Sequence, residues 1–309
     1  MRNAFADEVT KLAQSNDKVV LLSGDIGNKL FDSMKQVDAS RFINCGIAEG
    51  NMMGVAAGMA LSGLRPIVYT ITPFTTTRCF EQIRIDVCYH KAPVIIVGTG
   101  SGLSYAELGP THHSLEDLAI LRSLPGIRVV APCDANELRS VLRAAIKDFA
   151  PTYIRIGKKG EQLIFSDPPD VSIGKSIIVR PGEDITIICA GTLMGEVVNA
   201  AKVLDSHGIS VEVVSMHTVK PLDIDYLLSA KSRFKLIVSI EEHGLIGGLG
   251  GAISEWRSHG NHLVKHLMFG TPDEFMHEVG TQEYARIKYG LTSEQIVRRI
   301  MHILNKDGS

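Results

Sequence analysis

The sequence has no long apolar run, no surplus of basic residues and no paired cysteine motif. No apolar stretch among its 309 residues approaches the roughly eighteen that a membrane-spanning helix needs, so we expect no membrane association. The 32 basic and 34 acidic residues leave no positive excess to attract a nucleic acid. The five cysteines show no Cys-x-x-Cys spacing, and acidic residues stand where a signal peptide would need an apolar run. A reduced, cytoplasmic protein is therefore expected.

Familiar phosphate-binding and metal-binding patterns are missing as well. The segment 247–251 is rich in glycine, but Ile253 stands where a dinucleotide-binding fingerprint requires a third glycine. No Walker A loop is present, and the histidines show no spacing typical of a zinc site. We therefore predict neither a nucleotide-phosphate site nor a metal ion bound by this chain.

The chain does contain a regular alternation of short apolar runs and amphipathic segments. Continuous apolar runs of this kind are typical of parallel strands that are covered on both faces. In the first half, strands are predicted at 19–22, 66–71, 94–97, 127–131 and 152–156. Helices are predicted at 3–13, from 49 onward, near 77–89, and at 114–122 and 135–147.

The alternation breaks off in the middle of the chain and then resumes. Pro168-Pro169 and Pro181-Gly182 indicate a linker over residues 161–184. Further strands are predicted at 185–190, 210–215, 235–240 and within 262–269, with helices near 193, at 251–258 and at 292–304. The predicted fold class is α/β, with two doubly wound domains over residues 1–160 and 185–309.

One glycine-rich stretch joins an extended segment to a helix. Residues 41–45 are predicted to be extended, and the helix is predicted to carry Glu49 in its first turn. Glycines 50, 54 and 58 lie on one stripe of that helix, although glycine costs a helix interior about 1 kcal/mol relative to alanine. Close approach of another backbone would compensate, which predicts that Glu49 lies where two elements or subunits meet. The helix dipole alone would also favour an acid at this position.

Residues 46–60, Gly-Ile-Ala-Glu-Gly-Asn-Met-Met-Gly-Val-Ala-Ala-Gly-Met-Ala, closely resemble the glutamate motif in the pyrimidine-binding domain of transketolases. A second block resembles the same family: residues 109–113, Gly-Pro-Thr-His-His, followed by Leu121-Arg122 and Ala131-Pro132. The resemblance continues through the C-terminal third. Relatives in this family include deoxyxylulose-phosphate synthase and the beta subunits of 2-oxoacid dehydrogenases. The resemblance implies thiamine diphosphate as cofactor, together with Mg²⁺.

The resemblance also implies catalytic roles for two residues of this sequence. Glu49 would hydrogen-bond the aminopyrimidine ring of the cofactor, which requires a carboxyl group in a largely dry place. His112 would handle protons near the substrate hydroxyl and carbonyl oxygens, where a group that titrates near neutrality is useful. Its neighbour His113 would point away and be structural.

Four further residues are implied to contact the cofactor. Phe74 lies in the segment 71–78, which ends with Arg78, and would stack on the pyrimidine ring; otherwise it is a core aromatic. Asp25 and Ile26 follow the first predicted strand, at a cofactor-binding position of the family. Ile26 would hold the cofactor in a bent conformation, unless both residues simply end the strand.

The positions that contact substrate in transketolases are altered here. Arg2 and Lys158 occupy the places of a phosphate clamp, although both are equally well explained as cations in solvent. Leu108 stands where ordinary transketolases carry an aspartate, and Gly100 lies where they carry a histidine. A site that has lost polar contacts discriminates against hydroxyl-rich substrates. We expect the usual pentose and hexose phosphates to be poor substrates and a deoxygenated, branched or differently substituted sugar to be better, unless Leu108 is ordinary packing.

The resemblance is also informative for what it does not cover. This family holds the diphosphate and its metal ion with a Gly-Asp-Gly segment in a separate domain, which Gly24-Asp25-Ile26-Gly27 does not match. The chain therefore resembles the C-terminal subunit of a split transketolase that transfers a ketol unit between sugars. A partner subunit would supply the diphosphate-binding domain, and this chain would form a homodimer within a heterotetramer. The alternatives are a 2-oxoacid dehydrogenase beta subunit, a deoxyxylulose-phosphate-synthase-like enzyme and a non-catalytic scaffold.

Overall fold

The computed structural model describes residues 1–306, and it arranges their strands in two sheets. The strands are β1 (Val19–Ser23), β2 (Phe42–Asn44), β3 (Arg65–Ile71), β4 (Ile95–Thr99), β5 (Arg128–Val130), β6 (Thr152–Ile156), β7 (Ile177–Arg180), β8 (Ile185–Ala190), β9 (Val211–Ser215), β10 (Thr218–Lys220), β11 (Leu236–Gly244) and β12 (Lys265–Thr271). The predicted α/β fold class is confirmed.

The α-helices fill the connections between the strands. They are α1 (Arg2–Ser15), α2 (Asp32–Val37), α3 (Glu49–Leu61), α4 (Thr72–Thr75), α5 (Phe80–Gln82), α6 (Asp117–Arg122), α7 (Ala135–Lys147), α8 (Met194–Ser206), α9 (Ile224–Arg233), α10 (Leu249–His259), α11 (Gln282–Lys288) and α12 (Ser293–Lys306). No helix within residues 1–306 is long and apolar enough to cross a membrane.

The first sheet has seven strands in the order β10-β5-β6-β4-β3-β1-β2. Six of them are parallel, and β10 pairs antiparallel with β5. Alternate residues of β1 enter different cores. Val20 and Leu22 pack into the cluster that contains Met52 of α3, whereas Val19 and Leu21 join the cluster that contains Phe5 of α1. Helices therefore cover both faces of this sheet, as the continuous apolar strands predict.

The second sheet has five strands in the order β12-β11-β8-β9-β7. Its strands are parallel except for β7, which pairs antiparallel with β9 at one edge. Strand β7 lies within the predicted linker 161–184, and β10 lies beyond it yet completes the first sheet. The division of the chain at residues 160 and 185 stays a prediction.

The segment predicted as one helix near 77–89 is divided into three. It consists of a 3₁₀ turn (Thr77–Cys79), the short α5 and a π-helical segment (Ile83–Tyr89). The side chains of Thr75, Thr76 and Thr77 donate to carbonyl oxygens of the preceding turn. Such local bonds compete with regular helix geometry, and apolar periodicity does not reveal them.

Candidate cofactor and substrate site

Glu49 lies at the end of the first sheet where β1 and β2 terminate. The Cys45 amide donates to the Ser23 carbonyl at 2.8 Å, and the Asp25 amide donates to the Gly46 carbonyl at 3.1 Å. The chain then turns at Gly46, which has a φ of 65°, a backbone conformation that glycine adopts at little cost. This turn delivers Glu49 as the first residue of α3, and its side chain is buried.

The Glu49 carboxylate is paired with a guanidinium from the neighbouring connection. Arg78 Nη1 donates to Glu49 Oε2 at 2.9 Å. The Glu49 side chain is 5% exposed and that of Arg78 is 45% exposed, so the pair reaches from the interior to the surface. Residues 29 positions apart in the sequence thus meet at one end of the sheet.

The aromatic ring of Phe74 packs against the Arg78 guanidinium. It belongs to α4, which begins directly after β3 and has Pro73 in its first turn. The Arg78 Cζ atom lies 4.0 Å from the centroid of the Phe74 ring. The Cys79 thiol lies close to the Phe74 carbonyl, with a distance of 3.1 Å from Sγ to oxygen. Burial, together with the negative charge of Glu49, raises the pKa of that thiol to about 12.

His112 adjoins Phe74 and is framed by a second aromatic ring. The centroids of the Phe74 and His112 rings are 5.4 Å apart at an interplanar angle of 69°. The Tyr105 ring lies 6.0 Å from that of His112, also edge to face. The Thr111 hydroxyl is 2.9 Å from His112 Nδ1 and forms a hydrogen bond with it, so one of the two ring nitrogens is engaged. Glu49, Arg78, Phe74 and His112 therefore form one continuous series of contacts.

The loop that carries Tyr105 depends on a glycine. Gly100 follows β4 with a φ of 78°, and a Cβ atom there would lie 1.9 Å from the Tyr105 ring. Any other residue would displace this ring from its position beside His112. Gly102 and Ser114 exchange backbone hydrogen bonds of 3.1 and 3.0 Å, which join this loop to the histidine segment.

Buried charged residues from both halves of the chain hydrogen-bond to the Tyr105 loop and to the segment that follows His112. Arg155 in β6 donates to Asp117 Oδ2 at 2.9 Å and to the Ser114 carbonyl at 2.7 Å. Glu242 in β11 accepts from the Leu103 amide at 2.8 Å, within the Tyr105 loop. The sequence interpretation missed these residues. Its one available signal was the presence of Arg155 within an otherwise apolar strand.

Three predicted substrate-contacting positions lie close to Tyr105. Lys158 forms an ion pair with Glu107, and its Nζ atom lies 4.3 Å from the centroid of the Tyr105 ring. The hydrogen bond from Lys158 holds the pKa of Glu107 below its usual value. Leu108 follows Glu107 and is 49% exposed. Gly100 lies directly against the same Tyr105 ring.

The remaining predicted positions lie around these groups. Asp25 is exposed and accepts from Asn44 Nδ2 at 3.1 Å, next to the turn that leads to Glu49. Ile26 is half-buried and packs against the core that includes Phe5. Arg2 is the first residue of α1 and is half-buried.

His113 differs from His112 in its surroundings. It is buried, and burial lowers its pKa, which favours the neutral ring at physiological pH. Within residues 1–306, no group of three or more His, Cys, Asp or Glu side chains is arranged to hold a metal ion. The described groups do suit an aminopyrimidine: a buried carboxylate next to an aromatic ring, with a planar nitrogen-rich group, the Arg78 guanidinium, already held between them.

Two family models match the chain. Transketolase, pyrimidine binding domain, covers residues 1–160, and Transketolase, C-terminal domain, covers residues 174–296. The chain belongs to the transketolase family. Within it, the chain comprises the pyrimidine-binding and C-terminal domains, so the resemblance noted from the sequence is confirmed.

Individual transketolase relatives agree with the chain over nearly their whole length. A transketolase C-terminal section from Methanocaldococcus jannaschii is 34% identical, with 99% of this chain and 97% of that protein covered. The 6-deoxy-6-sulfo-D-fructose transketolase subunit SqwH from Clostridium sp. is 34% identical, with coverages of 96% and 92%. A solved split-gene transketolase, described as an inactive beta4 tetramer, has a TM-score of 0.88 and 34% identity, with coverages of 98% and 97%. This chain is therefore a transketolase-like C-terminal subunit.

Proposed function

We propose that this subunit transfers a ketol unit between sugars or sugar phosphates, with thiamine diphosphate and Mg²⁺, and only in complex with a partner chain. The observation that carries the proposal is the contact series from Glu49 through Arg78 and Phe74 to His112. It brings a buried carboxyl group, a ring for stacking and a group for proton transfer to one end of a parallel sheet, where α/β proteins commonly bind ligands.

In the proposed mechanism, thiamine diphosphate, when bound, would supply a nucleophilic carbon for ketol transfer. Glu49 holds the pyrimidine ring through a hydrogen bond that is strong because the carboxyl group is shielded from water. Phe74 supplies an apolar face for the same ring, and Ile26 limits its position. His112 exchanges a proton with a substrate oxygen through Nε2, because Nδ1 is engaged by Thr111.

Partner dependence is supported by the free face of α3. Ile47, just before the helix, is 81% exposed, and a Cβ atom added to Gly58 would meet no atom within 4 Å among the described residues. Gly50 and Gly54 meet only the side chains of Gln82 and Asp86, at 3.8 and 3.7 Å. We propose that another subunit supplies the close backbone approach expected at these glycines. The tetrameric relative is described as inactive, which suits a beta-type chain that lacks its partner.

We propose that a partner subunit binds the diphosphate and Mg²⁺, and that two copies of this chain form the centre of a heterotetramer in the cytoplasm. All five cysteines are free, which suits a reducing compartment. Residues 1–160 would then bind the pyrimidine, and residues 185–309 would support the substrate loops through Glu242.

The proposed substrate is a deoxygenated, branched or otherwise substituted sugar. Leu108 presents an exposed apolar side chain beside Lys158 and Glu107, whose charges offset each other. A relative at 34% identity is named for 6-deoxy-6-sulfo-D-fructose, a sugar of this description. Arg2 remains a weaker candidate for an anion clamp.

The test is reconstitution. The chain is purified alone and with the product of a candidate partner gene that contains the Gly-Asp-Gly segment, and thiamine diphosphate binding and ketol transfer are measured with Mg²⁺. We expect weak binding and no turnover for the chain alone and recovery of both in the complex. Ketol transfer by the isolated chain would contradict partner dependence, and a complex that binds no cofactor would contradict the proposed function.

A further inference from the structure

Arg78 contacts both groups that are proposed to hold the pyrimidine ring. Its Nη1 atom is 2.9 Å from Glu49 Oε2, and its Cζ atom is 4.0 Å from the centroid of the Phe74 ring. The guanidinium is planar, carries N–H donors on a conjugated N–C–N unit and stacks on aromatic rings. An aminopyrimidine has the same combination of a flat face and polar nitrogen edge. Arg78 thus makes the contacts that the cofactor ring would make.

The positive charge of Arg78 also favours a contact that competes with the cofactor ring. A guanidinium within hydrogen-bond distance stabilises the ionised form of a carboxylate. The proposed role of Glu49 instead needs a carboxyl group that shares a proton with a ring nitrogen. Arg78 engages Oε2 and covers the Phe74 ring, so a pyrimidine ring that reaches the carboxyl group at this oxygen must first displace the guanidinium.

The two partners also differ in how easily they can separate. The Arg78 side chain is 45% exposed and can move into water, whereas the Glu49 side chain is 5% exposed and stays behind. A buried carboxylate without a partner is strongly destabilising. Arg78 can therefore leave only when another hydrogen-bonding group replaces it.

We propose that Arg78 is a displaceable internal competitor of the cofactor: it occupies the pyrimidine position in the free chain and leaves when the ring binds. This proposal rests on the proposed function. It implies that Glu49 and Phe74 are kept covered until a ligand with the right polar edge arrives. It also implies that part of the binding free energy of the cofactor is spent on breaking an ion pair.

The experiment uses the full chain and the isolated pyrimidine part of the cofactor, 4-amino-5-hydroxymethyl-2-methylpyrimidine, as the probe in calorimetric or NMR titrations. This probe needs no diphosphate-binding partner. We expect R78A to bind it about tenfold tighter than the wild type, a factor equivalent to about 1.4 kcal/mol. The matched control is R84A, because Arg84 forms an exposed ion pair with Glu81 on the adjoining segment and its loss should leave the affinity unchanged.

Chemical competition supplies a second measurement. Millimolar guanidinium chloride should weaken probe binding to R78A, because the free ion can refill the vacated position, whereas equal sodium chloride should not. R78K serves as a second variant that retains the positive charge without the planar fork, and it should bind the probe more tightly than the wild type. Circular dichroism and thermal melting establish that each variant is folded.

The outcomes separate the two proposals. If the wild type binds the probe and R78A and R78K bind it equally or more weakly, Arg78 is not a competitor, while the proposed function stands. Absence of any guanidinium effect on R78A would also overturn the competitor. If no folded variant binds the probe, the competitor proposal is overturned, whereas the proposed function is decided separately by reconstitution with the partner chain.

Discussion

Arg155 and Glu242 connect the two sheets: the Arg155 Nη2 atom, in β6, donates to the backbone carbonyl of Glu242, in β11, at 2.8 Å. The same guanidinium pairs with Asp117 through Nε, and both side chains are almost completely buried. A single buried cation therefore joins the histidine segment to the second half of the chain.

Replacement of Arg155 by leucine should lower the free energy of unfolding by about 3–5 kcal/mol, because the buried Asp117 would lose its guanidinium partner and keep only the hydrogen bond from the Tyr153 hydroxyl. The measurement is urea unfolding monitored by circular dichroism. Arg128→Leu is the control, since its ion pair with Asp148 is partly exposed and should contribute about 0–1 kcal/mol. Equal losses of unfolding free energy in the two variants would show that the buried Arg155 pair contributes no more to stability than the partly exposed Arg128 pair.

Glu49→Gln should slow hydrogen–deuterium exchange at the thiazolium carbon by orders of magnitude in the complex of this chain with its partner. Glutamine retains the size and some hydrogen bonding of glutamate but cannot exchange a proton with the ring. Exchange is followed by NMR after acid quenching. Glu81→Gln is the control, because Glu81 is an exposed residue nearby. An unchanged exchange rate in the Glu49 variant would remove this residue from its proposed role.

Gly100→Ala should reduce the rate of ketol transfer well below that of the control variant Gly160→Ala. The new methyl group would force the Tyr105 ring away from His112. Gly160→Ala is a matched control: its φ of 81° is almost the same, but a Cβ atom there meets nothing within 4 Å. Both variants should lose about 1 kcal/mol of stability from the left-handed backbone. Gly100→Ala should lose more, because the buried Tyr105 ring must move, and only this variant should lose activity. Parallel losses of activity would show that Tyr105 does not act on His112.

The free energy of unfolding should fall as the pH is lowered from about 6.5 to about 4, in part because of His266. Burial, with a contribution from Arg257, lowers the pKa of this histidine from 6.5 to about 4. The unfolded chain therefore takes up a proton in this range that the folded chain does not, so the stabilisation is complete above pH 6.5. The effect of this one residue is about 3 kcal/mol.

The control for that pH dependence is His266→Asn, which keeps a polar group near Ser239 and Ser254, the two hydroxyl partners of the ring. Urea unfolding at a series of pH values should show a shallower slope between pH 4 and 6.5 in the variant. A variant with the same slope as the wild type would mean that other groups account for the loss of stability.

Leu108→Asp should improve ribose phosphate as an acceptor relative to deoxygenated or substituted sugars, because a hydrogen-bond acceptor for a substrate hydroxyl is restored at this exposed position. The comparison is a panel of acceptors assayed with the complex, expressed as ratios of kcat/KM. Arg2→Ala in the same panel tests the anion clamp, which should affect phosphorylated acceptors more than neutral ones. A wild type that already prefers ribose phosphate, with no gain in the variant, would contradict the altered substrate.

The sequence was sufficient to locate most strands and to predict the α/β class, because buried parallel strands are short, apolar and continuous. It also indicated that Glu49 opens a helix. It could not reveal the Arg78–Glu49 ion pair or the support of the Tyr105 loop by Glu242, because these contacts join residues 29 and 139 positions apart. Strand β10 was missed for a different reason: Val219 stands between the polar residues Thr218 and Lys220, so no continuous apolar run indicates a strand there.

Strand β10 has a consequence for the order in which the protein is made. Folding during synthesis generally proceeds from the N-terminal end, but the first sheet receives its last strand only when residues 218–220 are available. Until then the free edge of β5 is open to pairing with a strand from another nascent chain. The second half of the chain therefore covers an edge of the first sheet that would otherwise be open to pairing with another strand.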